Sequence, residues 1–128
     1  MNMQSQIAQT NDQLRVSLTP NICAAFVFNG VLANSEAIVM NLQTQERSNK
    51  IHITQGAMSC GRLLATLEAV RSFNSFTDDN DPYGEHDFGS FTIEGQKFFW
   101  KIDYFDSNFE FFQENGNRVL TIMLAEEY

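Results

Sequence analysis

Apolar positions change their period along this chain, and the changes outline its elements. Near the amino terminus Ile7, Leu14 and Leu18 recur at helical spacing until Pro20 ends the pattern, which predicts a helix over residues 4 to 18. The run ICAAFVF, 22 to 28, reads as a strand, and Asn29-Gly30 suits the two φ > 0 positions of a type I′ turn, so a hairpin is expected there. EAIVMNL, 36 to 42, and the short run KIHIT from Lys50 predict two further strands around the polar loop QTQERSN. In SCGRLLATLEAVRSFNSF the period lengthens: Leu63, Leu64, Leu67, Val70 and Phe73 fall on one face of an α-helix, with Ser59 as its N-cap. Beyond residue 90 the period drops to two. FTIEGQKFFWKIDYF turns at Glu94-Gly95 or Gly95-Gln96, and NFEFF and RVLTIML follow as strands on either side of Asn115-Gly116. Phe98, Trp100, Ile102 and Tyr104 share one face of the long strand, which should pack on the helix of residues 63–73. The pattern predicts a single α+β domain over residues 1–128, a largely antiparallel sheet with a C-terminal β-meander packed against one or two helices.

Composition supports a folded domain. At 128 residues, 43% apolar with 12 phenylalanines, the chain is long enough to bury a core without staples. The two cysteines, Cys23 and Cys60, sit among apolar or small residues as buried thiols do, and no structural disulfide is expected. MNMQSQIAQTNDQ lacks the basic start and apolar run of a signal peptide, and no 18-residue apolar stretch occurs, so the expected setting is cytoplasmic with no membrane contact.

Charge is segregated. Residues 1–76 carry five Lys/Arg against four Asp/Glu, a net of +1, whereas residues 77–128 carry three against twelve, a net of −9. Without clustered Lys and Arg, direct nucleic-acid binding is not expected.

The acids are densest in TDDNDPYGEHDFG, 77 to 89. Asp79, Asp81 and Gly84 imitate positions 1, 3 and 6 of an EF-hand loop, but Tyr83 and Ser90 fall where oxygen ligands belong, and a strand follows instead of a helix. His86 between Glu85 and Asp87 suggests acid/base chemistry; in an extended chain, however, those carboxylates point away from the ring, and another segment must supply its partner. The third reading is a folded loop in which Asn80, Asp81 and Asp87 accept from loop N–H groups, Pro82 fixes a turn and the glycines supply unusual dihedrals. Lys97, Lys101 and Arg71 are candidates to offset the loop's self-repulsion. Elsewhere AMSCG, 57 to 61, imitates a nucleophile elbow in a chain too short for the hydrolase sheet. His52, His86, Cys23 and Cys60 lack the short paired spacing of a zinc site, and neither a metal nor another cofactor is expected.

At DNDPYGEHDFG, FFWKIDYF and RVLTIMLAEEY the sequence resembles a family of small bacterial and mobile-element proteins known only as a domain of unknown function. The resemblance runs from KIHITQG at Lys50 to Tyr128 with an echo in the helix IAQTNDQLR, while residues 20–49 depart from it. It implies a shared fold and carries no activity, substrate or catalytic residue.

Two functions are therefore weighed. The first is a small acidic, non-catalytic protein-binding module that presents Asp78, Asp79, Asp81, Tyr83, Glu85, Asp87, Asp103 and Asp106 to a basic partner, as a mobile-element inhibitor would to a host defence protein that handles nucleic acid. The second is a hydrolase-like enzyme using Glu85, His86 and Asp87, with Trp100 and Tyr104 as an aromatic floor. The first is favoured, and the Phe-rich sheet offers a possible homodimer face.

Overall fold

A computed structural model describes residues 3–19, 21–22, 24–25, 37–44 and 46–128. Helix α1, Met3–Val16, precedes the hairpin of β1, Ile38–Gln43, and β2, Ser48–Ile53. A short helix α2, Gln55–Ser59, and a longer α3, Leu63–Ser72, lead into the acidic loop. Strands β3, Phe88–Ile93, β4, Gln96–Phe105, and β5, Asn117–Leu124, complete the sheet, followed by a 3-10 turn, Ala125–Glu127. The order is β1-β2-β5-β4-β3; the β2–β5 pair is parallel and the other three are antiparallel. This is an α+β fold with a C-terminal meander.

One face of the sheet is the core. Ile51 and Ile53 of β2, Leu120 and Ile122 of β5, and Phe98, Trp100 and Ile102 of β4 are buried against Leu67 and Val70 of α3 and Ile7, Leu14 and Leu18 of the α1 segment. Each such side chain contributes about 1.5–3 kcal/mol by leaving water. Trp100 meets Phe73 and Phe76 edge-on, at ring-centroid separations of 5.5 and 6.2 Å. Gly89, opposite Trp100 in the β3–β4 ladder, leaves room for the indole, because a Cβ there would collide with it and with Phe73.

Several local expectations are corrected. Asn21, Ile22, Ala24 and Ala25 are helical, not extended; the rest of the expected hairpin, including Asn29-Gly30, lies outside the described residues. NFEFF is not a strand: Asp106 accepts from the N–H groups of Asn108 and Glu110, which curls the chain, and only Phe112 bridges back to Phe105. Ser59 ends α2 and does not cap α3; the side chain that caps is Thr54, at the start of α2. Leu64 is exposed, and Thr66 takes its place on the buried face of α3. Among the described residues no helix is long and apolar enough to cross a membrane.

Candidate functional site

The acidic loop and the β4–β5 connection leave the same end of the sheet. Asp87 O accepts from Ile102 N–H beside β3, Tyr104 near the end of β4 reaches Glu85, and the rings of Tyr104 and Phe112 lie 6.4 Å apart. Carboxylates of both segments therefore gather at one end of the molecule.

The loop folds around Asp81. Its Oδ1 accepts from the N–H groups of Glu85 (3.0 Å) and His86 (3.1 Å), while its own N–H donates to Thr77 O and its carbonyl accepts from Gly84 N–H. Asn80 Oδ1 accepts from Thr77 N–H in the same manner. Asn80 and Asp81 thus act as the turn-forming acceptors expected of Asx residues beside Pro and Gly. His86 is held at φ 57°, a left-handed conformation that a side chain rarely adopts, and the two bonds to Asp81 oppose that strain.

The partner for His86 comes from α1. Its Nδ1 lies 2.9 and 3.1 Å from the two carboxylate oxygens of Asp12, its Nε2 lies 3.7 Å from Asp81 Oδ2, and its ring stacks on Phe76 at 3.9 Å with the planes 1° apart. Glu85 is engaged elsewhere, its Oε1 accepting from the Tyr104 hydroxyl. The nitrogen that a general base would turn toward substrate faces Asp81 instead.

Two buried polar residues on α1 complete the arrangement. Asn11, fully buried, donates through Nδ2 to Glu85 O and to the Tyr104 hydroxyl, and through Oδ1 accepts from Arg118 Nε, all at 2.9 Å. Arg118 also donates to Gly116 O and Asn115 Oδ1, and its guanidinium lies over the Tyr104 ring. Arg15 donates to Val70 O and Phe73 O, carbonyls at the end of α3, and to Asp12 Oδ1, with its guanidinium over Trp100 and Phe76. Ile7, Asn11, Leu14, Arg15 and Leu18 thus form one buried stripe in which polar and apolar residues alternate in kind. That interruption is the signal that could have marked Asn11 and Arg15.

Burial shapes the electrostatics. It pushes the Asp87 carboxyl up, aided by the neighbouring charges of Glu85, Asp81 and Asp103. Burial raises the Tyr104 phenol, and its hydrogen bond to Glu85 adds to the rise. Arg118 is lowered to about 10, first by burial and then by the charge of Arg47.

The other sequence-predicted positions separate into groups. Asp78, Asp79 and Tyr83 are exposed; Asp106 is tied into its own turn; Asp103 pairs with Lys101 Nζ at 2.9 Å. Asp87 is half-buried beside like charges and accepts from no loop N–H beyond its own residue. Of the candidate cations, Lys97 lies over Phe99 and Arg71 pairs with Glu68, so neither is spent on the loop. Among the described residues no three His, Cys, Asp or Glu side chains converge to hold a metal ion.

No curated protein and no solved structure matches the chain. A family model does, and it begins at residue 39, so that nearly all of β1, within the stretch expected to depart from the family, falls inside it. The match, to the family described as protein of unknown function (DUF3768), covers residues 39–127, and the chain belongs to that family.

Proposed function

We propose that this protein is a small acidic, non-catalytic protein-binding module that docks the acid-rich end of its sheet on a basic surface of a partner protein. The observation that carries the reading is the division of labour within that end. Asp81, Glu85 and Asp106 are spent on holding the loops, whereas the tips expose aromatics among free-standing acids: Tyr83 at 70%, Phe111 at 69% and Phe112 at 73%, beside Asp78, Asp79, Glu110 and Glu114. Aromatic anchors supply contact area, and a surrounding field of one sign speeds encounter and selects a basic partner. The partner class proposed is a cytoplasmic protein whose basic surface ordinarily faces nucleic-acid phosphates, which the module would inhibit by occupying it; a mobile-element origin accords with such a role.

The test is capture at about 50 and 300 mM salt, where screening differs strongly. Tagged wild type is compared with a variant carrying Asp78→Asn, Asp79→Asn, Glu110→Gln and Glu114→Gln. Support is a partner identified by mass spectrometry that is lost at the higher salt, lost with the variant and displaced by duplex DNA. Capture indifferent to both salt and neutralisation refutes the reading.

A further inference from the structure

The partly exposed His86 ring stands between two carboxylates, and only its charged state is attracted to both. A neutral imidazole has one N–H and one lone pair. If Nδ1 carries the hydrogen and bonds Asp12, the Nε2 lone pair faces the Asp81 carboxylate; if Nε2 carries it, the Nδ1 lone pair faces both oxygens of Asp12. The imidazolium bonds Asp12 through Nδ1 and attracts Asp81, 3.7 Å from Nε2, as an ion pair without a hydrogen bond.

From these contacts we infer that His86 is a pH latch, which closes the acidic loop onto α1 when its ring is protonated and releases it when the ring is neutral. Every charged group around the ring on the described elements bears on this. Asp12 and, through it, Arg15 come from α1; Asp81 lies across the ring; Glu85 and Asp87 flank it in the loop; Phe76 and Trp100, packed beyond, are uncharged. Once the ring is neutral, Asp12 keeps Arg15 and Asp81 keeps its two amides, so the core is not undone. What weakens is the pairing of the ring with Asp12 and Asp81, which tethers the loop to α1, and the loop carrying Asp78, Asp79 and Tyr83 loosens. The consequence for docking rests on the proposed function; the latch itself does not.

The test therefore reads loop order on the isolated full chain. Imidazole ring nitrogens and the amides of residues 77–87 are followed by NMR from pH 5.5 to 8.5 in the wild type, His86→Gln and Asp12→Asn. We expect the wild-type loop amides to move with the ring titration and local opening of the loop to rise about tenfold across it, with both responses flat in His86→Gln and reduced in Asp12→Asn. Loop amides that ignore the ring titration of the wild type overturn the latch, whether or not either variant folds. A wild-type response that persists in folded His86→Gln overturns it as well.

Discussion

Replacing Asn11 by Ala tests whether the buried polar stripe of α1 holds the site together. The substitution removes three hydrogen bonds at once: two donated to Glu85 O and the Tyr104 hydroxyl, and one accepted from Arg118. Two neutral bonds are worth about 1 kcal/mol each and the charge-assisted one about 1.5–3 kcal/mol. No water reaches Asn11, so Arg118 Nε and the Glu85 carbonyl are left short of partners. The expected loss is about 3–5 kcal/mol, roughly a fifth or more of the stability of an ordinary domain. With a urea m-value of about 2 kcal/mol/M, the midpoint falls by about 1.5–2.5 M. Asn11→Asp separates the contributions: its carboxylate serves Arg118 but cannot donate to the Glu85 carbonyl, so it should lose less than Ala and more than nothing. A folded Asn11→Ala protein within about 1 kcal/mol of wild type would refute the reasoning, since the stripe would then be a bystander.

The other predictions concern single contacts. Asp87→Asn should raise the melting temperature at pH 7: the folded carboxyl titrates above its unfolded value of 3.8, so its ionisation costs stability as pH rises through that interval. The gain should vanish below the unfolded value, and a variant equally improved at pH 3 would contradict this account. Glu127 is lowered: burial alone would raise it, but hydrogen bonds from Thr54, Leu124 N–H and Gly56 N–H together with the charge of His52 outweigh that effect. Its contribution is present above the unfolded value of 4.5 and is lost as pH falls through the folded one, so Glu127→Gln should cost about 1 kcal/mol or less at pH 7 and nothing near pH 2, read by thermal melting. Gly89→Ala should cost about 1–3 kcal/mol in chemical denaturation, because the added carbon meets the Trp100 indole and Phe73 Cζ inside the core; an unchanged midpoint would show that the indole can move aside.

What the sequence disclosed follows from which positions had only one place to go. β4 was legible because alternate residues are buried without interruption from Phe98 to Tyr104, and α3 because Leu67 and Val70 sit at helical spacing between polar neighbours. At residues 22–25 the expectation of a strand failed because Ala24 and Ala25 are strong helix formers that are depleted from strands, and their preference prevails over that of Ile22. NFEFF misled because Phe111 and Phe112 are exposed, so its apolar spacing records no buried face. Within the site, the Asx chemistry of Asn80 and Asp81 was readable from local turn vocabulary. Asp12 was not, because it lies 74 positions from His86 and nothing local to either residue announces the pair.

The origin of those partners bears on how the family is understood. Asn11, Asp12 and Arg15 belong to α1, before the matched residues begin at 39, whereas Arg118, Tyr104, Asp81 and His86 lie within the match. A guanidinium buried like that of Arg118 carries a desolvation cost of several kcal/mol unless its donors are met, and Asn11 meets one of them. Taken alone, the matched span therefore holds a cation and a loop whose bonds are incomplete. The helix IAQTNDQLR is what converts a run of mutually repelling carboxylates into an ordered end of the sheet, through Asn11 beneath Glu85 and Asp12 against His86. It follows that the structural unit of this chain is larger than its family span, and that the acids of the loop depend for their placement on a neutral amide that charge counting would overlook.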